Sequence, residues 1–337
     1  MAAEQDRLGF DALNTALKAA GEDTRLHILA LLAEAELTVS DLTDILGQSQ
    51  PRISRHLKLL VEASLVDRFR EGTWAFFRMC ESGPGAALAR ALIEKLNPAD
   101  RIIARDRGKL ADVRAARSAA AQKYFREHAA EWDKIRKLHV ADAAVEAAIR
   151  DALHGRQFRS LLDLGTGTGR MLELFGPEIE RGLGIDLSLD MLLIARDRLE
   201  RAGLRHCSVR QGDIYDLPLG NDSFDAVIIH QVLHFLDDGA RAVAEAARVL
   251  RPGGSLLVID FAPHQLEFLR EQYAHRRLGF APDVVNQWLG ATGLEPVMHK
   301  SLPPGRDGKI AVSLWLARDN RAVIAGKKNN LQKREVA

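Results

Sequence analysis

The chain has 337 residues, Lys+Arg 47 against Asp+Glu 46, and a formal net charge of +1; it is long enough for two domains with separate cores, and its near-neutrality excludes a global basic field, so nucleic-acid binding would need a local patch. Two cysteines, Cys80 and Cys207, exclude a disulfide framework and a cysteine-rich metal site. The polar, acidic start offers no secretory apolar core and no run approaches the ~18 apolar residues of a membrane span, so a soluble cytoplasmic chain without a membrane partner is expected.

Residues 1–97 read as short helices followed by a hairpin. Residues 98–154 are rich in Ala and Arg, with almost no Gly, and read as long helix. In residues 155–318 short apolar runs alternate with helical stretches, the rhythm of a parallel α/β sheet. Residues 319–337 form a basic tail, expected to be disordered. The predicted fold class is multidomain: a mainly α helix-turn-helix with a β-hairpin wing, a helical linker, and a C-terminal α/β Rossmann-like domain.

In chain order, Asp23 is placed to cap a helix whose Leu26, Leu29, Ala30 and Ala33 recur at helical spacing. In the box ELTVSDL, Glu36 to Leu42, Thr38-Val39-Ser40-Asp41 fits a capping box that starts a second helix. Gly47 ends that helix. Ser49 caps a third, with Pro51 at a tolerated early position. Its Ile53, Leu57 and Leu60 form one apolar stripe, leaving Gln50, Ser54 and Lys58 opposite with Arg55 beside them. Such a face suits a major groove: Gln reads adenine, Arg reads guanine, and Lys and Ser hold phosphates. VDRFREGTWAFFRM then alternates and turns at Glu71-Gly72, a hairpin carrying Arg68 and Arg70 near its tip. From Gln50 to Cys80 there are six Lys/Arg and three Asp/Glu, so a local basic patch exists. On pattern alone, a small helical domain with a solvated charged face fits equally well.

The stretch ELTVSDLTDILGQSQPRISRHLKLLVEASLV and the aromatic hairpin behind it resemble the ArsR/SmtB family of winged-helix repressors, over about residues 8 to 95. The resemblance implies a homodimer on two-fold-related, double-stranded operator DNA. It places Ser49, Gln50, Arg52, Ser54, Arg55, His56 and Lys58, with Arg68 and Arg70 of the wing, at or near that DNA. Metal-responsive members carry thiolates in the box, which suit soft metals. Here Thr38 and Ser40 stand there, and no Asp-x-His and His-x-x-Glu pair follows the wing. No metal is expected.

FRSLLDLGTGTGR is an apolar strand running into Gly165, Gly167 and Gly169 and then a helix. Such a loop brings backbone N–H groups close to a ligand, although a tight structural turn fits as well. A dinucleotide fingerprint would need glycine where Arg170 stands. With Asp163 ahead of it, the loop instead resembles motif I of the class I S-adenosylmethionine (SAM)-dependent methyltransferases. RGLGIDLS, VRQGDIYDLP, DSFDAVIIHQVLHFL and LRPGGSLLVIDF follow in that family's order, and LEPVMH with KIAVSLWLA matches its closing antiparallel hairpin. LDLGTGTG and RVLRPGG resemble the ubiquinone-biosynthesis branch of small-molecule methyltransferases. The resemblance spans about residues 158 to 316 and implies a seven-stranded sheet. It also implies that SAM or S-adenosylhomocysteine (SAH) is held by Asp163, Gly165, Thr166, Gly167, Gly169, Asp186, Leu187, Asp213, Ile214 and His230. Asp186 would accept the ribose hydroxyls, and Asp213 the adenine amino group.

The catalytic residue is not legible. The Asn-Pro-Pro-Tyr of base-amino methylation is absent after the fourth strand, no Pro-Cys pair exists, and Cys207 reads as a buried strand residue. His230 and His234 could bind zinc at i, i+4, but His230 falls at a strand end. His234 could act as a general base, or serve only in packing. KYFREHAAEWDKI resembles the lid segment ahead of motif I, and the linker before it reads as a solvated spacer or part of a dimer interface. The sequence thus supports a DNA-binding regulator that senses SAM or SAH. The alternative is an active methyltransferase, with a small-molecule methyl acceptor, fused to an autoregulatory repressor.

Overall fold

A computed structural model describes residues 7–71, 73–80, 83–129, 132, 142–156, 158–304 and 310–321. Gly72 at the wing turn, most of the second half of the expected lid stretch, and 322–337 of the expected tail lie outside the described residues. The chain divides into two compact units. The first is Met1–Ala130, Leu233–Gly239 and Phe261–Phe280; the second is Glu131–Val232, Ala240–Asp260 and Ala281–Ala337. Two segments from within the C-terminal sequence therefore belong to the N-terminal unit.

The first unit opens with α1 (Phe10–Ala20), α2 (Asp23–Leu32), β1 (Leu37–Thr38), α3 (Val39–Leu46) and α4 (Gln50–Glu62). The N-cap of α2 is Glu22, whose carboxylate accepts from Arg25 N, so the capping residue is one position earlier than Asp23. Both residue types cap through a side-chain oxygen, so composition alone does not separate neighbours. The capping box forms as expected: Thr38 N donates to Asp41 Oδ2 at 2.8 Å, and Asp41 N donates to Thr38 Oγ1 at 3.3 Å. Gly47 closes α3 at φ +66°, a left-handed position where glycine costs least. Ser49 is the N-cap of α4, with Pro51 in its first turn, but its side chain makes no cap bond.

The wing is β2 (Val66–Glu71) and β3 (Trp74–Met79), paired antiparallel with Phe69 opposite Phe76. The box adds a third strand, since β1 pairs with β3, Leu37 to Phe77 and Thr38 to Phe76. Ile28, Leu29, Leu42, Ile45, Ile53, Leu57, Leu60 and Phe77 form the core between helices and wing. After α5 (Gly83–Glu94), the linker opens with a 28-residue helix, α6 (Arg101–His128), and closes with α7 (Asp142–Leu153). The first half of α6 is not a solvated spacer. Leu110 enters the core, Asp106 pairs with His27, and Lys109 Nζ donates to Ile45 O at 2.9 Å.

The second unit is built on a seven-stranded sheet of order β6-β5-β4-β7-β8-β10-β9. Its strands are β4 (Ser160–Leu164), β5 (Arg181–Asp186), β6 (Cys207–Gln211), β7 (Phe224–His230), β8 (Leu250–Phe261), β9 (Leu294–Leu302) and β10 (Val312–Asp319). Pairing from β6 through β8 is parallel, and β10 runs antiparallel to β9. This is the expected Rossmann-like architecture with its closing hairpin. β4 is buried along its whole length, as a central parallel strand covered on both faces must be. Within β8, Arg251–Gly254 form a bulge: the register jumps from Phe224–Leu250 to Ala226–Ser255.

The Thr38 cap leads to a first test. Thr38→Ala removes the acceptor of one orphan helical N–H and should lower local stability by about 1 kcal/mol. Faster amide exchange in α3, with unchanged exchange in β4, is the expected readout.

Candidate functional site

On α4, Ile53, Leu57 and Leu60 are buried while Gln50, Arg52, Ser54, Arg55 and Lys58 are exposed, as is Ser49 at the cap. Arg68 and Arg70 on β2 are exposed and alternate with Phe69, which stacks on Phe76 with ring centroids 5.6 Å apart. His56 departs from this face. It is half-buried with Nδ1 3.5 Å from the Glu22 carboxylate; burial, against that carboxylate and with Arg25, Arg52 and Arg55 nearby, lowers its pKa. Burial thus favours the neutral form of His56 and turns it away from the exposed α4 face.

The box is an electrostatic hub. Burial alone would raise the Asp41 pKa, but the Arg117 guanidinium and Thr38 N–H beside it hold it below the usual carboxylate range. Arg117 ion-pairs with Asp41 and reaches Asp237 at 3.1 Å. Arg276 lies 2.5 Å from the same Asp237 carboxylate and 3.8 Å from Asp41. At the other end of the box, Glu36 takes Arg277 at 2.5 Å and Arg78 at 3.5 Å. The Thr38 hydroxyl is spent on the cap and Ser40 is exposed. Among the described residues, no group of three or more His, Cys, Asp or Glu is placed to hold a metal.

In the second unit the loop after β4 has Gly165, Gly167 and Gly169 at φ +68°, +52° and +81°. Two need glycine for space as well. A Cβ on Gly165 would lie 2.4 Å from Val232 Cγ2, and one on Gly169 3.0 Å from Ala195 Cβ. A Cβ on Gly167 would first meet the Trp132 indole nitrogen, at 3.7 Å, so that lid-segment side chain faces the loop. Asp163 is buried beneath the loop, where its Oδ2 accepts the Thr166 hydroxyl at 2.5 Å. Gly165 N and Thr166 N donate to Ile185 O at 2.8 and 3.0 Å, which ties the loop to β5.

Asp186, at the carboxyl end of β5, accepts from Gly167 N at 2.8 Å and from Ser188 N at 2.9 Å, one bond to each oxygen. Each oxygen keeps a further lone pair, so the carboxylate can still take two hydroxyl donors. Burial raises its pKa by more than the N–H groups of Ser188, Gly167 and Leu187 lower it. Leu187 beside it is 38% exposed, an apolar side chain open to a flat ligand. Asp213 is exposed, its Oδ1 accepting from Tyr215 N at 2.9 Å, and Ile214 is half-buried. His230 ends β7. Gln231, which pattern reading missed, holds a left-handed backbone at φ +56° and donates to Ile259 O at 2.7 Å. Such strain in a residue with a side chain needs surrounding bonds to hold it and clusters at functional sites.

His234 lies in the first compact unit, buried among Phe235, Phe261 and His275 at ring distances of 4.0, 4.7 and 4.3 Å. Its carbonyl accepts from Arg276 N and Arg277 N at 2.8 and 3.0 Å. Its surroundings are those of a packing residue. Cys207 is buried in β6, where burial raises its thiol pKa.

Residues 22–68 match the family model described as bacterial regulatory protein, arsR family, and residues 162–258 match that of a methyltransferase domain. The chain is 41% identical over 127 residues to an uncharacterised 37.1 kDa protein in transposon Tn4556 of Streptomyces fradiae, covering 36% of each. It is 35% identical over 127 residues to the ubiquinone/menaquinone biosynthesis C-methyltransferase UbiE of Methylococcus capsulatus, covering 36% of this chain and 51% of that one. The chain thus spans about a third to a half of the length of these curated relatives. The solved YcgJ protein of Bacillus subtilis aligns with 52% of this chain and 98% of its own at 19% identity and a TM-score of 0.45. One chain therefore joins an arsR-type winged helix to a methyltransferase-type domain.

The raised Asp186 pKa sets a sign. In the unfolded chain the carboxyl ionises at the ordinary aspartate value, and in the folded chain later. The folded state then holds the extra proton between the two values, so stability is lost as pH rises through the folded pKa. Asp186→Asn removes this loss. Its stability relative to wild type should grow with pH across that window and flatten above it, as read by urea unfolding at successive pH values.

Proposed function

We propose that the chain is a DNA-binding transcriptional regulator whose methyltransferase-type domain binds SAM or SAH and thereby biases operator affinity. The observation that carries this reading is the Asp41–Arg117–Asp237–Arg276 cluster. Residues 233–239 and 261–280 follow the carboxyl ends of β7 and β8, the end at which open α/β sheets take their ligands. Both segments pack in the compact unit of the winged helix; Arg276 and Arg277 of the second meet the box at Asp41 and Glu36, and Asp237 of the first pairs with Arg117 and Arg276. Breaking a buried ion pair by removing one partner costs about 3–5 kcal/mol. An allosteric coupling of about 1–3 kcal/mol shifts affinity about 5- to 150-fold, so rearranging one such pair is enough.

In this reading Asp186 accepts the ribose hydroxyls. Asp213 accepts the adenine amino group, with Leu187 and Ile214 against the ring. Gly165, Thr166 and Gly167 let the backbone approach the amino-acid end, over Asp163 and Gly169, with His230 beside it. The recognition surface for double-stranded DNA is Ser49, Gln50, Arg52, Ser54, Arg55 and Lys58 with Arg68 and Arg70. The acting form is a homodimer: on α1, Phe10, Leu13 and Leu17 recur along one side and are 84%, 38% and 46% exposed, an apolar stripe that a second copy would cover.

A second reading, an active small-molecule methyltransferase joined to an autoregulatory repressor, is supported by the 35% identity to a named C-methyltransferase. Transfer of a labelled methyl group to a small acceptor would establish it.

Titrating the chain onto its own promoter fragment at fixed salt, with SAM and SAH in parallel, tests the leading reading. At least one should change the affinity by about 5- to 150-fold. Asp186→Ala should abolish that change and leave ligand-free DNA binding intact. An affinity indifferent to both compounds overturns the sensor. Separately, Phe10→Glu with Leu17→Glu should shift the chain toward monomer in sedimentation equilibrium and weaken promoter binding in step.

A further inference from the structure

Residues 261–280 lie along one side of the wing. Glu267 Oε1 accepts from Thr73 N at 2.6 Å, next to the hairpin turn. The Arg270 guanidinium sits 4.7 Å from the Trp74 ring centroid and pairs with Glu267 at 3.1 Å, its side chain only 3% exposed. Arg277 is 5.1 Å from the Phe76 ring and 5.6 Å from Phe69, and Arg276 is 5.7 Å from Phe76. Arg277 is anchored in turn by Glu36 at 2.5 Å. Three guanidiniums and one carboxylate therefore hold the aromatic side of the hairpin. Strand alternation gives Arg68 and Arg70 to the other side of β2, where both are exposed.

A two-stranded hairpin is marginal in water without a supported face. With planar cations stacked on its rings, Phe69, Trp74 and Phe76 are fixed, and the arginines on the opposite side gain a defined position. We propose that residues 261–280 brace the wing, with Arg270 and Arg277 as positioning residues that set Arg68 and Arg70 against DNA phosphates. The brace rests on the DNA-binding reading above and adds the element that holds the wing in register. Arg270 and Arg277 themselves touch no phosphate in this assignment.

The test uses the full chain, its own promoter fragment and the variants Arg270→Met and Arg277→Met. Each neutralised phosphate contributes about 0.9 to the slope of log K against log salt. Arg68→Ala with Arg70→Ala should flatten that slope by about 1.8 per protomer, about 3.6 for the homodimer. The two brace variants should flatten it in the same direction and speed amide exchange in β2 and β3, while exchange in α2 to α4 stays slow. In a brace variant, adding Arg68→Ala and Arg70→Ala should then change the slope little. Brace variants with the wild-type slope, or full additivity with the wing substitutions, overturn the brace. If α2 to α4 lose protection, Arg270→Lys and Arg277→Lys replace them under the same criteria, since lysine keeps the charge but not the stacked plane. A wild-type chain that does not bind the fragment fails the DNA-binding reading instead, and wing exchange in the variants still reports whether the brace holds the hairpin.

Discussion

The Asp41 carboxylate ties three distant stretches of the first unit together. One of its oxygens caps α3 through Thr38 N, and the carboxylate draws Arg117 from α6 and Arg276 from the segment after β8. A buried carboxylate is costly unless charges and hydrogen bonds satisfy it together. Here the opposing charges win, since the pKa lies below the ordinary value despite burial. Asp237 completes the balance by taking Arg117 and Arg276 on its own carboxylate. Two acids and two arginines from four stretches of chain thereby form one near-neutral cluster. Removing any member would leave an uncompensated charge inside.

The glycine loop rests on the opposite kind of constraint, space rather than charge. Gly165 against Val232 leaves no room for a side chain, Gly169 against Ala195 leaves little, and their positive φ makes one costly in any case. That geometry turns Gly167 N onto Asp186 and links the ends of β4 and β5 through a carboxylate that burial keeps reluctant to ionise. A ligand offering two hydroxyls would relieve this reluctance, because hydrogen bonds to the charged form lower a carboxylate pKa. Binding energy and charge state are therefore coupled at Asp186.

Local features were legible from sequence because their causes are local. The Thr38–Asp41 box, the left-handed Gly47 and the Ile53–Leu57–Leu60 stripe each depend on residues within a few positions, and each appears as expected. The order of the sheet was legible through resemblance, which carries its topology along with its motifs. His56 was not legible: helical spacing put it beside Arg55, and only the fold brings Glu22 close enough to draw it inward. The membership of 233–239 and 261–280 in the first unit was hidden for the same reason. Glu36 and Arg277 are 241 positions apart, and surface-type residues carry no periodic signal for such a partner. Pattern reading also treated α6 as spacer or interface, because one Leu110 among many charges does not mark a core face.

The ELTVSDL box then has a meaning that the loss of thiolates alone does not suggest. Its hydroxyls and carboxylates are engaged by the protein itself: Thr38 by the cap, Asp41 by Arg117 and Arg276, and Glu36 by Arg277 and Arg78. A metal ion bound by thiolates would bring charge to the start of α3 from solution. Here arginines on a segment continuous with β8 bring it from the chain. Within the winged helix, the contacts of residues 261–280 described above fall on the box and the wing: Glu36, Asp41, Phe69, Thr73, Trp74 and Phe76. α4, which carries the side chains proposed to read bases, is built on its own buried stripe. In the proposed regulator, a ligand acting along this route would therefore alter the wing arginines proposed to hold phosphates before the α4 face proposed to read bases. It would tune how tightly DNA is held more than which sequence is preferred, because phosphate contacts position while base contacts specify.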